Sequence, residues 1–340
     1  MPLTNHQVRL AARPSGLPRA TDWSLTTEEV PEPAEGQFVV AVSHLSVDPA
    51  MRGWMNAGAS YIPPVEIGAV MRAGAVGRVT ASAHPGFAVG DDVYGMFGVQ
   101  EYAASDGRGV TKIDTSLAGP STYLGALGAT GLTAYFGLLD TGRLKEGDTV
   151  VVSGAAGAVG SMAGQIAKIK GAGRVIGIAG GPEKCRALTE EFGFDVGVDH
   201  RADDFRERLA DAVPVGIDVY FENVGGAVFG AVRKHLNLYA RIPVCGLVSG
   251  YNDTEPPGGP DRMPGLMRQV LTKSLTIRGF IQGEFVPGHY RDFLRDMSGW
   301  VRDGSVRYRE DVTDGLDNAP EAFAGMLRGA NFGKVLVKVS

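Results

Sequence analysis

One segment of this 340-residue chain constrains the fold more than any other: a strand-like run that passes through a glycine turn into helical periodicity. Residues 148–153 hold Thr149, Val150, Val151 and Val152 in succession, a β-branched run suited to a strand buried on both faces of a parallel sheet. Gly154, Gly157 and Gly160 follow in the spacing Gly-x-x-Gly-x-x-Gly, and Met162, Gln165, Ile166 and Ile169 then recur at helical spacing. A strand, a turn and a helix in that order aim backbone N–H groups and a positive helix end at a point where a pyrophosphate can dock. Glycine is required there wherever a Cβ would block the turn, the ligand or helix-to-strand packing. The spacing differs from Gly-x-Gly-x-x-Gly, and plain helix packing is the alternative explanation for it.

A second strand is expected over residues 174–181, about 20 residues past the loop, where a protein that binds NAD places an acid for the ribose 2′-hydroxyl. This strand ends instead in Ala179-Gly180-Gly181, with Lys184 and Arg186 close behind. A small, uncharged strand end beside basic groups admits a 2′-phosphate, which points to NADPH as the cofactor. Glu183 opposes that reading, and Lys184 also reads as a solvated lysine at a helix start. The alternation continues with a helix over 184–192, a strand near 195–198, a helix over 202–212, and strands at 217–221 and 240–245. Strands separated by helices imply a doubly wound parallel sheet. The residues after its strands, 223–226 and 246–251, then fall on the carboxyl edge, where ligands bind in such sheets. Residues 1–128 have another grammar: short β-like runs at 38–42, 77–80 and 92–97, divided by Gly, Pro and Asp turns. The final run, 333–339, alternates as a strand and is expected to rejoin that first β-rich domain.

Composition excludes several classes. A net charge of −5 with no long basic run offers nucleic acid no electrostatic footprint. Two cysteines, Cys185 and Cys245, cannot build a four-cysteine zinc site or a disulfide framework, so a reduced, cytoplasmic protein is expected. The six histidines show no H-x-x-x-H pair, and no metal site is expected. A serine hydrolase finds no G-x-S-x-G elbow. The charge-poor stretches 115–139 and 149–167 carry too many glycines, threonines and serines for a membrane span.

Ser46-Val47-Asp48-Pro49-x-Met51-Arg52, Gly131-Leu132-Thr133-Ala134-Tyr135-Phe136-Gly137-Leu138, Ala155-Ala156-Gly157-Ala158-Val159-Gly160-Ser161, Phe192-Gly193-Phe194-Asp195, Tyr220-Phe221-Glu222-Asn223-Val224-Gly225-Gly226 and Asn331-Phe332-Gly333-Lys334 together resemble one family. It is the zinc-free branch of the medium-chain dehydrogenase/reductase superfamily, with its prostaglandin reductases, leukotriene hydroxydehydrogenases, alkenal double-bond reductases and curcumin reductases. The resemblance runs nearly end to end. It implies an α/β fold, a Rossmann-like doubly wound parallel sheet over 129–301, and a β-rich GroES-like domain formed by 1–128 with 302–340. It also implies a homodimer with a small-molecule enone or enal as partner.

Carried onto this sequence, the resemblance sets Gly157, Ala158, Val159, Gly160 and Ser161 at the cofactor phosphates and Lys184 at the 2′-phosphate. His200 stands where the family has a tyrosine near that phosphate, with Arg201 beside it, and its possible charge implies pH-dependent NADPH binding. Asn223 and Asn331 would meet the cofactor; Cys245, Gly246, Ser249 and Tyr251 would line its nicotinamide end, with Phe280, Ile281 and Gln282 opposite. Reduction of an α,β-unsaturated carbonyl leaves charge on the carbonyl oxygen, so a donor aimed there is the main requirement. Tyr251 matches the family's active-site tyrosine and is the catalytic candidate; a loop anchor is its alternative role. Met51, Tyr61 and Tyr94, with Trp54, are the candidate substrate wall or else core. Several relatives carry tyrosine where this chain has Ala50, so their substrates do not transfer to it. Residues 252–264, rich in proline and glycine, are expected to form a flap over the site. A quinone reductase, a zinc-free carbonyl or alcohol dehydrogenase, and a non-catalytic NADPH sensor remain as alternatives.

Overall fold

The computed structural model describes residues 3–58, 60–255 and 258–339. Its contacts divide the chain into two compact units, Met1–Gly128 with Glu310–Ser340, and Ala129–Arg309. The first begins with β1 (Thr4–Leu10), β2 (Trp23–Glu29), β3 (Phe38–Ser46), the short helix α1 (Ala50–Trp54), β4 (Ala75–Ser82), β5 (Asp92–Gly95), β6 (Tyr102–Ser105) and β7 (Thr111–Lys112). The second runs α2 (Ala129–Phe136), β8 (Thr149–Ser153), α3 (Ala158–Ile169), β9 (Arg174–Ala179), α4 (Pro182–Glu190), β10 (Val196–Asp199), α5 (Phe205–Ala212) and β11 (Ile217–Phe221). It continues with α6 (Gly226–Val232), β12 (Leu236–Val244), α7 (Met263–Lys273), β13 (Thr276–Gly279) and α8 (Val286–Arg302). The tail then adds β14 (Glu310–Asp314), α9 (Ala319–Leu327) and β15 (Lys334–Lys338) to the first unit.

The second unit is a six-stranded sheet in the order β10-β9-β8-β11-β12-β13, with every neighbouring pair parallel. Chain direction across the sheet therefore reverses between β8 and β11, the switch point where ligands bind in such sheets. All five residues of β8 are buried, and the three valines each contribute about 1.5–3 kcal/mol by leaving water. Residues 302–309 were expected in the tail domain, but they fall in the second unit. Gln165 holds them there: its Nε2 donates to Arg307 O at 2.8 Å, and its Oε1 accepts from Arg307 N–H at 2.7 Å. Arg309 adds an ion pair to Glu191.

In the first unit the main sheet runs β14-β15-β3-β4-β5-β7, with β6 also paired to β3, and only β14 and β15 lie parallel. Two of the family motifs meet in it. The Lys334 side chain, 4% exposed, donates through Nζ to Val47 O at 2.9 Å, Asp48 Oδ1 at 3.1 Å and Val335 O at 3.0 Å. Arg52, also buried, donates to Gly16 O, Pro14 O and Asn56 Oδ1 and so pins the loop before β2. Buried cations persist only when their donors find acceptors, and both do.

Candidate active site

The phosphate end is made of backbone. Gly157 stands as N-cap in extended conformation, and α3 opens with Ala158, Val159 and Gly160. Their N–H groups belong to the first helical turn, which has no intrahelical acceptors to offer. Gly160 allows this turn to lie against the loop, because a Cβ there would sit 2.4 Å from Gly154 O and 2.7 Å from Ala155 Cα. Ser161 N–H closes the first turn on Gly157 O at 3.0 Å.

One strand over, at the ends of β9 and β10, the basic groups gather. A Cβ on Gly180 would lie 2.8 Å from Arg201 Nε and 3.1 Å from His200 Nε2, so both side chains cover a bare strand end. Asp199 Oδ1 accepts from Gly181 N–H at 2.8 Å and Arg201 N–H at 2.9 Å and so orders the turn. The resemblance implied possible charge on His200. Burial, then the positive charge of Arg201, lowers its pKa below the usual 6.5 despite Asp199, with Lys184 adding to the lowering. The imidazole is therefore neutral at pH 7, and Lys184 and Arg201 are the cations of this corner.

At the other end of the edge, β11 and β12 finish in two glycine loops tied by a side-chain network. Glu222, 2% exposed, accepts on Oε1 from Ser153 Oγ at 2.9 Å, Tyr220 OH at 2.9 Å, Val224 N–H at 2.7 Å and Gly225 N–H at 2.9 Å. Asn223 N–H donates to Ser153 Oγ at 2.9 Å, and Asn223 Nδ2 donates to Ser153 O at 2.7 Å. Ser249 binds the loops together, with Oγ donating to Val224 O at 2.6 Å. Beside them opens a cavity of about 370 Å³ lined by Val244, Cys245, Gly246, Leu247, Tyr251, Gly279, Phe280, Ile281 and Glu284. Five of the residues expected at the nicotinamide end are in that wall. The Tyr251 hydroxyl accepts from Leu247 N–H at 3.3 Å and lies 3.2 Å from where a Cβ on Gly246 would stand. Burial, with help from Glu222, pushes the Cys245 thiol up to about 12, which keeps it an unreactive neighbour. Gln282 does not line the cavity; its Oε1 is buried without a hydrogen-bond partner.

Free backbone donors at α3, cations at a small strand end and a roomy apolar cavity further along one sheet edge fit a dinucleotide with a 2′-phosphate. The first unit holds the remaining candidates. Met51 takes the core alternative: it is 3% exposed and packed in the core, beside an apolar cavity of about 10 Å³, which has room for at most one water. Tyr61 is exposed and accepts from Trp54 Nε1 at 3.0 Å. Tyr94 is half-buried on β5, and Asn331 donates from Nδ2 to Gly333 O at 3.0 Å. Of the expected flap, Pro256 and Pro257 lie outside the described residues, and Met263 and Pro264 open α7. In the sequence Glu222 stands only inside a family motif, and neither it nor Ser153 is given a role. Only the oddity of a carboxyl at the end of an apolar strand signals Glu222.

Parallel strands, a switch point and a glycine turn at its edge define a dinucleotide-dependent α/β oxidoreductase. The family model for the N-terminal domain of oxidoreductase matches residues 6–113, and that for zinc-binding dehydrogenase matches 158–299. Among the described residues no group of three or more His, Cys, Asp or Glu could hold a metal ion. NADPH-dependent curcumin reductase of Escherichia coli (strain K12) is 52% identical over 99% of this chain and 97% of its own. Prostaglandin reductase 1 of Sus scrofa is 38% identical over 95% of each chain. The crystal structure of CurA in complex with NADPH from Vibrio vulnificus superposes with a TM-score of 0.95 at 50% identity, covering 98% of this chain and 99% of that one. The chain belongs to the zinc-free medium-chain dehydrogenase/reductases, in the branch of the curcumin and prostaglandin reductases.

Proposed function

We propose that this protein reduces the carbon–carbon double bond of α,β-unsaturated ketones and aldehydes with NADPH and without a metal. The observation that carries the reading is the cavity at the ends of β12 and β13, with the Tyr251 hydroxyl at its wall beside Gly246. NADPH supplies the hydride that adds to the β-carbon. Tyr251 meets the charge that develops on the carbonyl oxygen by hydrogen bonding, and stands where a proton can be relayed to the α-carbon. Gly157 to Ser161 hold the pyrophosphate, Lys184 and Arg201 the 2′-phosphate with His200 beside them, and Asn223 the cofactor beside the glycine loops. Cys245, Gly246, Ser249, Phe280, Ile281 and Gln282 shape the nicotinamide end. For Tyr61, Tyr94 and Asn331 in the first unit, the assignment rests on the family resemblance.

A panel of an enone, a quinone and a secondary alcohol, followed by the NADPH absorbance, tests the reading. Turnover of the enone alone is expected. Preference for the quinone or the alcohol would reassign the enzyme within its superfamily, and NADPH binding without oxidation would make it a sensor.

Two finer points belong to the same proposal. The chain forms a homodimer, supported by the exposed edge strand β13 and by exposed Met263, Met267 and Leu271 at i, i+4 and i+8 along α7; light scattering at the mass of one chain would remove it. The protein works in the cytoplasm, supported by two unpaired cysteines, and among the described residues no helix is long and apolar enough to cross a membrane. Cell fractionation tests the compartment.

A further inference from the structure

A carboxyl group buried beside a dinucleotide edge is costly and electrostatically unsuited to an anionic ligand, so its presence needs a reason. Glu222 sits at the switch-point side of the sheet, directly after β11, and it is 2% exposed. Four donors converge on its Oε1 from three places: Ser153 at the end of β8, Tyr220 on β11, and the amides of Val224 and Gly225 in the following turn. Those amides are the N–H groups that lead into α6, whose N-cap is Gly225. Glu222 therefore holds the turn that leads from β11 into α6. The same Ser153 that donates to Glu222 also accepts from Asn223 N–H, and its carbonyl accepts from Asn223 Nδ2. The other oxygen of Glu222, Oε2, is buried with no hydrogen-bond partner.

We infer that Glu222 is a positioning residue for the cofactor: through Ser153 and the 224–225 turn it fixes the orientation of Asn223 against NADPH. A network that served only to hold the fold would be indifferent to which way the Asn223 carboxamide points. Here three of the four bonds that Glu222 accepts come from groups beside that side chain: Ser153, which itself holds Asn223, and the amides of Val224 and Gly225. Replacement by glutamine keeps the size and one carbonyl oxygen but removes the charge that strengthens the four hydrogen bonds accepted by Oε1. The hold on Ser153 and the 224–225 turn is then loosened.

The inference rests on the NADPH reading above, and the experiment separates the two. NADPH dissociation constants are measured by fluorescence titration for the wild type, Glu222→Gln, Asn223→Ala and the double variant, with melting temperatures alongside. A wild type that binds no NADPH defeats the functional reading itself. With the wild type binding, Glu222→Gln is expected to weaken NADPH about tenfold or more, which is about 1.4 kcal/mol. The double variant is expected to bind no more weakly than Asn223→Ala alone, because both act through one side chain. A lowered melting temperature with the dissociation constant held within twofold, or effects of the two substitutions that simply add, would reduce Glu222 to a strut and overturn the inference. Should Glu222→Gln not fold, Tyr220→Phe decides. It removes one donor from Oε1 without touching Asn223, and a rise of about threefold supports the inference. An unchanged constant sinks it.

Discussion

The two ends of the sheet edge are built on opposite principles. The phosphate end, from β8 through Gly157 to α3, is contiguous in sequence and consists of backbone donors exposed by glycine. The nicotinamide end draws on the ends of β8, β11, β12 and β13, and it is held by buried side chains, chiefly Glu222 and Ser153, which lie 69 residues apart. A backbone cradle is broken by adding atoms. A side-chain network is broken by removing or exchanging them.

Substitutions that break each end in its own way sharpen this contrast. The largest effect is expected from Gly160→Ala. Its Cβ would meet Gly154 O at 2.4 Å, so NADPH affinity should fall about a hundredfold, or about 2.7 kcal/mol, with a stability loss of about 1–3 kcal/mol. Equilibrium titration and urea unfolding measure both, and wild-type affinity would mean that the turn does not touch the phosphates. Tyr251→Phe comes next: kcat should fall about ten- to a thousandfold with NADPH affinity kept. Steady-state kinetics with an enone decide it, and an unchanged kcat would leave Tyr251 as a loop anchor.

Lys184→Ala should erode the preference for NADPH over NADH about tenfold, the scale of one charge-assisted hydrogen bond of about 1.5–3 kcal/mol. Equal kcat/KM ratios for the two cofactors before and after would remove the lysine from that corner. The smallest effect concerns pH. Burial, then neighbouring cations, holds His200 below 6.5 in the folded chain, and burial likewise lowers His44 and His235. The unfolded chain then binds more protons, so stability is full above about pH 6.5 and declines as pH falls through the folded values. Melting curves from pH 7.5 to 5 should show that decline, less steeply in His200→Gln. Saturating NADPH should flatten it as well, because a 2′-phosphate favours the protonated ring. A wild-type melting temperature that rises on acidification would contradict the sign.

The sequence was most informative where structure is local. Expected strands at 148–153, 174–181 and 217–221 correspond to β8, β9 and β11, because β-branched runs bounded by Gly and Asp leave little else to form. The run expected at 240–245 is the end of a longer strand, β12, whose register against β11 shifts between Ile217 and Val219, with Tyr239 at φ 61°. No periodicity announces such an irregularity. Of the site, the glycine turn and the residues following β12 could be read from spacing and resemblance. Met51 could not be placed, since an apolar residue in a motif looks the same whether it faces a ligand or a core. Glu222 gave little more than its odd place for a related reason: a carboxyl acquires its meaning from donors that the fold gathers from β8, β11 and the turn that follows.

Strand β15 lies between β14 and β3 in the first unit, with Leu336 opposite Ser46 and Lys338 opposite His44. Synthesis on the ribosome meets these partners at very different times. The second unit is one uninterrupted stretch, Ala129–Arg309, and can close as soon as it emerges, whereas the first must wait with residues 44–46 of β3 short of a neighbour until β15 arrives. The unit made first is therefore completed last. Nascent chains halted before Lys334 should carry a protease-resistant second unit and a cleavable first one.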